Sequence, residues 1–386
     1  MNGHLTGRSP STGQGLRIAF AEGRITAITD EPDPAPGYLA PGLVDLQING
    51  YFGHDLNDDT LSVARVRDLT EALLRHGVTR YLPTLITASE ASLTRALGII
   101  AEARAGDPLL ARIIPGIHVE GPFISPMDGA RGAHPLAHVR EPDRAEVERW
   151  QEVSGGLVRL VTLSPHSDAA IALVRDLTAM GIRVAIGHTE ASPEQIHLAA
   201  EAGAVLSTHL GNGAPAMLPR HPNILWAQLA EDRLAASFIA DGHHLPADTL
   251  KTMLRAKTLA RSLLVSDVAA AGGLPPGIYD QPIGGRVELS ADGRLGTPGT
   301  PFLAGAALTL DFNVARVMTM AGLSLAEALD LATLNPARLL AGTEPPAFGI
   351  LKIGAPADLI RFDHAPGADR LTILETYIGG EVRWTQ

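Results

Sequence analysis

Residues 113–120 read IIPGIHVE, an apolar run that stops on a carboxylate, and three similar runs follow along the chain. Residues 182–188 (IRVAIGH) and 204–209 (AVLSTH) stop on a histidine, and residues 262–267 (SLLVSD) stop on an aspartate. An apolar run that ends on a reactive group is typical of a buried barrel strand that presents this group at its carboxyl-terminal edge. The four runs therefore predict an enzyme whose active site lies at one end of a strand barrel.

The middle of the chain, residues 42–345, alternates strand-like runs with helical patterns. The strand-like runs are residues 43–49, 78–84, 113–120, 157–164, 182–188, 204–209, 235–241 and 262–267. These eight units predict an α/β fold, a closed (β/α)8 barrel of the TIM type. Residues 1–41 and 346–386 hold strand patterns without helices, which predicts a small β-sandwich built from both termini. Residues 274–299, rich in Gly and Pro, are expected to form an ordered excursion or a lid.

The composition of the 386-residue chain, with 45% hydrophobic and 19% charged residues, indicates a globular protein with a large core. Its net charge of −11 argues against a nucleic-acid surface, and no apolar run reaches the about 20 residues that span a bilayer. The first residues lack the apolar core of a secretory signal, so we expect a cytoplasmic location without membrane or nucleic-acid partners. Because the chain has no cysteine, metal ligands must come from His, Asp and Glu.

Two imidazoles and a carboxylate, here His188, His209 and Glu120, form a donor set that holds a catalytic divalent metal with one position open to water. Asp267 closes the last run, where a carboxylate can take a proton from such a water. Each residue also has a structural alternative. These alternatives are a buried ion pair for Glu120, hydrogen-bonded core positions for the histidines and a helix N-cap for Asp267. Together the residues favour metal-assisted hydrolysis.

The first strand-like run has a polar face. In LVDLQING, residues 43–50, the side chains of Asp45, Gln47 and Asn49 alternate with apolar ones and therefore share one face of the strand. In a closed barrel this face points into the site, because a barrel has no edge. An edge strand with a wet face is the alternative.

Seven stretches of the chain occur in the same order in a known enzyme family. They are APGLVDLQINGYFG (40–53), GIHVEGPFISP (116–126), AIGHTEAS (185–192), STHLGN (207–212), IADGHH (239–244), LLVSD (263–267) and FLAGAALTL (302–310). Through these stretches the chain resembles the N-acetylglucosamine-6-phosphate deacetylase family of the amidohydrolase superfamily over nearly its whole length. The resemblance implies a metal-dependent barrel enzyme that hydrolyses an acetamide and forms a homodimer.

The resemblance assigns the metal-binding and catalytic residues. Glu120, His188 and His209 match the ligands of one divalent ion, for which zinc is the first choice and iron or another transition metal the alternative. Asp267 matches the residue that takes a proton from water and returns it to the leaving amine. His134 matches a residue that supports the oxyanion, and a histidine exposed to water on a loop is the alternative.

Gln47 and Asn49 stand where many amidohydrolases have an H-x-H pair that binds a second metal. Uncharged amides are poor ligands for transition metals, so a mononuclear site is expected. The full substrate-binding set that the resemblance implies is Gln47, Asn49, Ala133, His134, Asn212, Gly213, Arg220, His244, Phe302, Leu303 and Ala304.

Within this set, Asn212, Arg220 and His244 match positions that meet the sugar phosphate, although Arg220 as an ordinary surface residue is the alternative. The predicted reaction converts N-acetylglucosamine 6-phosphate and water to glucosamine 6-phosphate and acetate. Residues 208–223 read THLGNGAPAMLPRHPN where the family usually reads THLYNAM. Because this loop departs from the pattern, another N-acyl amino sugar, with or without phosphate, or a small amide stays an alternative substrate. A barrel that binds a sugar or a metal without turnover is the third possibility.

Overall fold

The computed structural model describes residues 2–386, which form twenty strands and eleven α-helices. The strands are β1 (Gly3–Arg8), β2 (Gly15–Ala21), β3 (Arg24–Asp30), β4 (Tyr38–Pro41), β5 (Leu43–Ile48), β6 (Gly50–Tyr51), β7 (His54–Asp55), β8 (Val78–Ile86), β9 (Ile117–Glu120), β10 (Val158–Leu163), β11 (Arg183–Ile186), β12 (Ala204–Ser207), β13 (Ala235–Phe238), β14 (Ser262–Leu264), β15 (Gly277–Gln281), β16 (Gly285–Leu289), β17 (Leu295–Gly296), β18 (Leu359–Asp363), β19 (Thr372–Ile378) and β20 (Glu381–Thr385). The helices are α1 (Val63–Leu74), α2 (Glu90–Gly106), α3 (Pro108–Ile113), α4 (Arg144–Ser154), α5 (Asp168–Ala179), α6 (Pro193–Ala202), α7 (Ile224–Ala230), α8 (Ala247–Lys257), α9 (Leu310–Ala321), α10 (Leu325–Ala332) and α11 (Leu334–Ala341).

Eight parallel strands form the barrel, in the order β5, β8, β9, β10, β11, β12, β13 and β14. The sheet closes just beyond β14. There Ile48 pairs with Val268, and the amide of Asp267 donates a hydrogen bond of 3.0 Å to the carbonyl oxygen of Gln47. The predicted (β/α)8 barrel is confirmed. Val44 and Leu46 of β5 pack with apolar residues of the other barrel strands, so the predicted polar face does not extend along the whole strand, and only Gln47 and Asn49 contact Glu120 and Asp267.

One predicted strand begins too early. The run 113–120 starts with the last residue of α3, and β9 begins only at Ile117. The Asp107 side chain accepts a hydrogen bond from the amide of Leu109, and Pro108 stands in the first turn of α3. Both features favour a helix start, whereas a short apolar run alone does not distinguish a strand from a buried helix. The beginning of that strand prediction was therefore wrong.

Both ends of the chain contribute to a separate seven-stranded sheet, in the order β20, β19, β18, β4, β1, β2 and β3. Its neighbours are antiparallel except for β1 and β4. The predicted β-structure from both termini is confirmed, while the domain boundaries at residues 41 and 346 stay a prediction and Met1 lies outside the described residues. Asp358 joins this sheet to the barrel, because its carboxylate contacts the guanidinium groups of Arg80 and Arg112.

The segment 274–299 is ordered and lies between β14 and α9. It contains a small antiparallel sheet of β15, β16 and β17. The predicted excursion is thus present, and its movement as a lid stays a prediction. Among residues 2–386, no helix combines the length and apolar character needed to cross a membrane.

Candidate active site

The four predicted reactive residues lie at the carboxyl-terminal ends of barrel strands. Glu120 is the last residue of β9, and His188, His209 and Asp267 follow β11, β12 and β14. The last three have backbone φ angles of 49°, 31° and 53°, in the left-handed region that side-chain-bearing residues rarely adopt. They are half of the six non-glycine residues with positive φ among residues 2–386. Such strained backbone persists where the surrounding structure enforces it, which is common at functional sites.

Three possible ligand atoms converge between these strands. Oε1 of Glu120 lies 3.2 Å from Nε2 of His188 and 3.0 Å from Nε2 of His209, and the two Nε2 atoms are 3.1 Å apart. All three side chains are buried. Two imidazole lone pairs at this distance repel each other unless a cation or a proton lies between them. The donor set and its geometry therefore fit a divalent metal ion.

Neighbouring groups hold these ligand atoms in place. Nδ1 of His188 lies 3.1 Å from the carbonyl oxygen of Ala130, so Nδ1 carries the proton and Nε2 offers its lone pair. The side-chain amide of Gln47 donates a hydrogen bond of 2.9 Å from Nε2 to Oε2 of Glu120. A Cβ atom at Gly213 would lie 3.0 Å from Nδ1 of His188. A glycine at this position lets the loop after β12 pass close to the histidine ring.

His134 lies beside the same atoms. One ligand atom each from Glu120, His134 and His188 lie within 4.8 Å of one another, and the His134 and His188 rings are 4.2 Å apart. The set of Glu120, His188 and His209 is tighter. In it, Nε2 of His209 lies within 3.1 Å of both Oε1 of Glu120 and Nε2 of His188. Burial lowers the pKa of His134 well below its usual value. The ring of His134 is therefore neutral.

Asp267 shares the site with these groups. The side-chain amide of Asn49 donates a hydrogen bond of 2.8 Å from Nδ2 to Oδ1 of Asp267. Burial raises the pKa of Asp267 to about 6, and the negative charge of Glu120 adds to this shift. The next helix along the chain is α9, which begins only at Leu310, so the alternative of Asp267 as a helix N-cap is wrong. The carboxylate is thus free to face the site.

These groups line one cavity of about 160 Å³ at the end of the barrel. Of the fifteen predicted site residues, the eleven that line it are Asn49, Glu120, Ala133, His134, His188, His209, Asn212, Gly213, His244, Asp267 and Leu303. Ile283, from the segment 274–299, also lines the cavity. The structure therefore brings the metal-binding candidates, Asp267 and part of the predicted phosphate set into one place.

Four predicted site residues lie outside the cavity lining. Gln47 lies behind Glu120, to which it donates its hydrogen bond. Arg220 is exposed in the loop between β12 and α7, and Phe302 is 69% exposed. Ala304 is buried. The assignment of these four residues to substrate binding stays a prediction.

Sequence reasoning missed the groups that orient the predicted residues. Oδ2 of buried Asp241 lies 2.7 Å from Nδ1 of His244, and its Oδ1 accepts a hydrogen bond of 2.9 Å from the His244 amide. Oγ1 of Thr87 lies 2.8 Å from Nδ1 of His134. Asp241 ends the run 235–241, so the rule that found Asp267 also applied to it. Thr87 gives no comparable signal, because a threonine after a strand is common.

Comparison with known proteins agrees with this geometry. Residues 38–383 match the amidohydrolase family. The chain therefore belongs to the amidohydrolase family. The family and the donor set together support a divalent metal ion in the site.

Individual relatives narrow the class further. The chain is 37% identical over 384 residues to the N-acetylglucosamine-6-phosphate deacetylase of Bos taurus, covering 95% of this chain and 88% of that protein. It is 33% identical over 361 residues to the N-acetylgalactosamine-6-phosphate deacetylase of Escherichia coli O157:H7, covering 90% of each. A mutant of the Mycobacterium smegmatis N-acetyl-D-glucosamine-6-phosphate deacetylase, solved with N-acetyl-D-glucosamine-6-phosphate, superposes with a TM-score of 0.86 at 28% identity and covers 100% of both chains. The predicted enzyme class, a hydrolase that acts on an amide C–N bond, is confirmed.

Proposed function

We propose that this chain hydrolyses the acetamide of N-acetylglucosamine 6-phosphate and releases glucosamine 6-phosphate and acetate. The observation that carries the proposal is the convergence of Glu120, His188 and His209 in a cavity that Asp267 also lines. Similarity to deacetylases named for this substrate supports the choice of sugar.

In this proposal Glu120, His188 and His209 hold one metal ion per chain. Zinc is our first choice, and iron or another divalent ion suits the same ligands. When bound, such an ion polarises the amide carbonyl and lowers the pKa of a water to about 7. Gln47 and Asn49 add no imidazole or carboxylate for a second ion, and each already donates to a carboxylate of the site. Metal analysis of the purified protein is expected to find one ion per chain.

Two side chains are proposed to handle the proton and the developing charge. Asp267 takes a proton from the attacking water and gives it to the nitrogen, so that the C–N bond breaks and a neutral amine leaves. The Asn49 amide holds the carboxylate of Asp267 in place. His134 is neutral, and with its Nδ1 accepting from the Thr87 hydroxyl it presents an Nε2–H group to the carbonyl oxygen as this oxygen becomes negative.

The phosphate is proposed to bind beside His244 and Asn212. Both residues line the cavity, and Asp241 orients the imidazole of His244 through Nδ1. A histidine held against a carboxylate keeps its other nitrogen available for a charge-assisted hydrogen bond to phosphate. In the proposal Arg220 adds a contact from the exposed loop.

The test is acetate release by the metal-loaded protein from three substrates compared side by side. These are N-acetylglucosamine 6-phosphate, free N-acetylglucosamine and N-acetylgalactosamine 6-phosphate. The proposal expects the highest kcat/KM for the first. Equal rates with the free sugar would contradict the phosphate site, and no acetate from any of the three by a protein with bound metal would contradict the reaction.

The loop after β12 favours a second candidate, hydrolysis of another N-acyl amino sugar. Residues 208–223 include Asn212 and Arg220 of the proposed phosphate set, and Met217 in this loop is 87% exposed. The relative from Escherichia coli is named for N-acetylgalactosamine 6-phosphate, which differs from the glucosamine compound in the configuration of one ring hydroxyl. A kcat/KM that is higher for the galactosamine substrate would favour this candidate.

The resemblance alone leads us to propose a homodimer, and the cytoplasmic location stays a prediction. Light scattering coupled to size-exclusion chromatography of the full chain tests the dimer. A mass equal to one 40.5 kDa chain would contradict it.

A further inference from the structure

A hydrogen-bond chain outside the cavity joins three segments of the protein, and two of these segments also carry cavity residues. Oη of Tyr51 lies 2.9 Å from Nε2 of His76, and Nδ1 of His76 lies 3.2 Å from Oδ2 of Asp311. Tyr51 and Asp311 are buried, and the His76 side chain is 16% exposed. When Nδ1 of His76 donates to the carboxylate, Nε2 accepts the proton of the Tyr51 hydroxyl. In this arrangement the Tyr51 hydroxyl donates to His76, and His76 donates to Asp311.

Tyr51 packs on the segment that follows Asp267. A Cβ atom at Gly273 would lie 2.7 Å from the phenol oxygen of Tyr51, so the tyrosine side chain lies directly against the backbone there. The φ angle of Gly273 is 78°, which also favours glycine. Backbone hydrogen bonds of 2.8 Å join residues 52–53 to residues 270–272. The position of the chain after Asp267 is thus tied to the position of Tyr51.

The segments that this hydrogen-bond chain joins also carry cavity residues. Asn49, just before Tyr51, donates its hydrogen bond to Asp267. Leu303 lines the cavity and lies in the segment that leads to Asp311. Tyr51 and Asp311 therefore anchor backbone whose other residues face the cavity, although neither of them lines it.

We propose that Tyr51, His76 and Asp311 are positioning residues for the hydrolysis. Their hydrogen-bond chain holds the turn at residues 272–273, and this turn fixes both Asp267 and the start of the segment 274–299. The inference rests on the proposed function, since Asp267 is the proton carrier in that reaction. A displacement of about 1 Å in a reacting group can cost about 100-fold in rate, so a fixed turn matters for catalysis.

The test is the variant Tyr51→Phe, which keeps the ring against Gly273 and removes only the hydroxyl. We expect kcat for deacetylation to fall about tenfold, while KM changes less than about twofold and the metal content stays unchanged. The amides of residues 268–273 are expected to exchange with solvent faster than in the wild-type protein. Asp311→Ala removes the acceptor at the other end of the same hydrogen-bond chain, so the double variant is expected to lose no more kcat than the more affected single variant.

Tyr81→Phe is the matched control. Tyr81 is a buried tyrosine whose hydroxyl lies 2.8 Å from Oγ1 of Thr70, away from the cavity. We expect this variant to lower Tm about as much as Tyr51→Phe while kcat and the exchange at residues 268–273 stay as in the wild type. An unchanged kcat in Tyr51→Phe, with only Tm lowered, would overturn the proposal and leave a structural role.

The exchange measurement separates this inference from the proposed reaction. If the wild-type protein hydrolyses none of the tested acetamides, the proposed function fails. Faster exchange at residues 268–273 in Tyr51→Phe but not in Tyr81→Phe would still support the positioning of this turn. Equal exchange in both variants would overturn it whatever the reaction.

Discussion

The proposed metal ligands and the proposed phosphate residues, hereafter the metal end and the phosphate end of the cavity, differ in how the fold supplies them. At the metal end, Glu120, His188 and His209 lie at strand ends and are at most 7% exposed, and hydrogen bonds with Gln47 and Ala130 hold Glu120 and His188. At the proposed phosphate end, Asn212 is only half-buried, and Arg220 is exposed in a long loop. Barrel strands therefore position the residues of the metal end, whereas loops position those of the phosphate end.

This difference separates the reaction from the choice of substrate. Strand ends cannot move without disturbing the barrel, so the groups at the metal end are fixed before substrate arrives. Loop residues at the other end can vary in sequence and in conformation at little cost to the fold. We therefore expect variants at the metal end to abolish turnover, and variants at the phosphate end to change which substrate is preferred.

The largest effect is expected for Glu120→Gln. The variant removes the only carboxylate among the three proposed ligands, so the metal content is expected to fall well below one ion per chain. Activity is expected to drop by at least about 1,000-fold, because the Lewis acid contributes several kcal/mol to the reaction. Metal analysis and acetate release measure both changes.

Glu146→Gln is the control for this variant. Glu146 is also buried, but it pairs with Arg140 on the outside of the barrel. The control is expected to keep its metal and its activity while Tm falls. A Glu120→Gln protein with a full metal content would contradict the proposed ligand set and direct attention to His134.

The next largest effect is expected for Asp267→Asn. An asparagine can still accept the hydrogen bond from Asn49, but it cannot carry the proton. We expect kcat to fall about 1,000-fold, within the range for loss of a general acid and base, with the metal content unchanged. Loss of the metal together with the activity would instead mean that Asp267 is a metal ligand and belongs to the metal end.

Most residues of the metal end could be predicted from the sequence, because an apolar run that stops on a reactive residue indicates the end of a strand. Asp241 follows the same rule, because it ends the run 235–241. The predicted site includes His244 from this stretch but not Asp241. The bond between His76 and Asp311 has no local signal, because 235 residues separate the two. Contacts of this kind depend on barrel closure and on loop paths that periodicity does not describe.

Two predictions were less accurate, one at the start of a barrel strand and one in the exposed loop. The strand prediction for 113–120 begins too early, because the apolar residues at 113 and 114 continue a helix that starts at Asp107 and Pro108. Arg220 was assigned from its match to a family position, yet the loop that carries it has its own sequence. Position in an exposed loop depends on local turns and on what binds there, so a motif match predicts the residue type better than its place.

A smaller, substrate-dependent effect is expected for Asp241→Asn. The Asp241 carboxylate orients His244, so its loss weakens the hydrogen bond to phosphate without touching the metal ligands. We expect KM for N-acetylglucosamine 6-phosphate to rise about tenfold, equivalent to about 1.4 kcal/mol of lost binding, while turnover of the free sugar stays constant. His243→Gln is the control, because the His243 ring lies 3.1 Å from the carbonyl oxygen of Asp292 and does not line the cavity. Equal losses on both sugars would place His244 in the reaction itself.

The smallest effect is expected for Arg220→Ala. Arg220 is exposed and does not line the cavity, so a solvated guanidinium there gives a weak, screened contact to phosphate. We expect KM for the phosphorylated sugar to rise about two- to threefold at low salt, with no change in kcat and less change at high salt. Arg286→Ala, at an exposed position of β16, is the control and is expected to leave KM unchanged. A rise in KM beyond about tenfold would mean that the loop folds over the substrate or that a second copy of the chain presents it. The contrast between a fixed and an open end would then hold only for the protein without substrate.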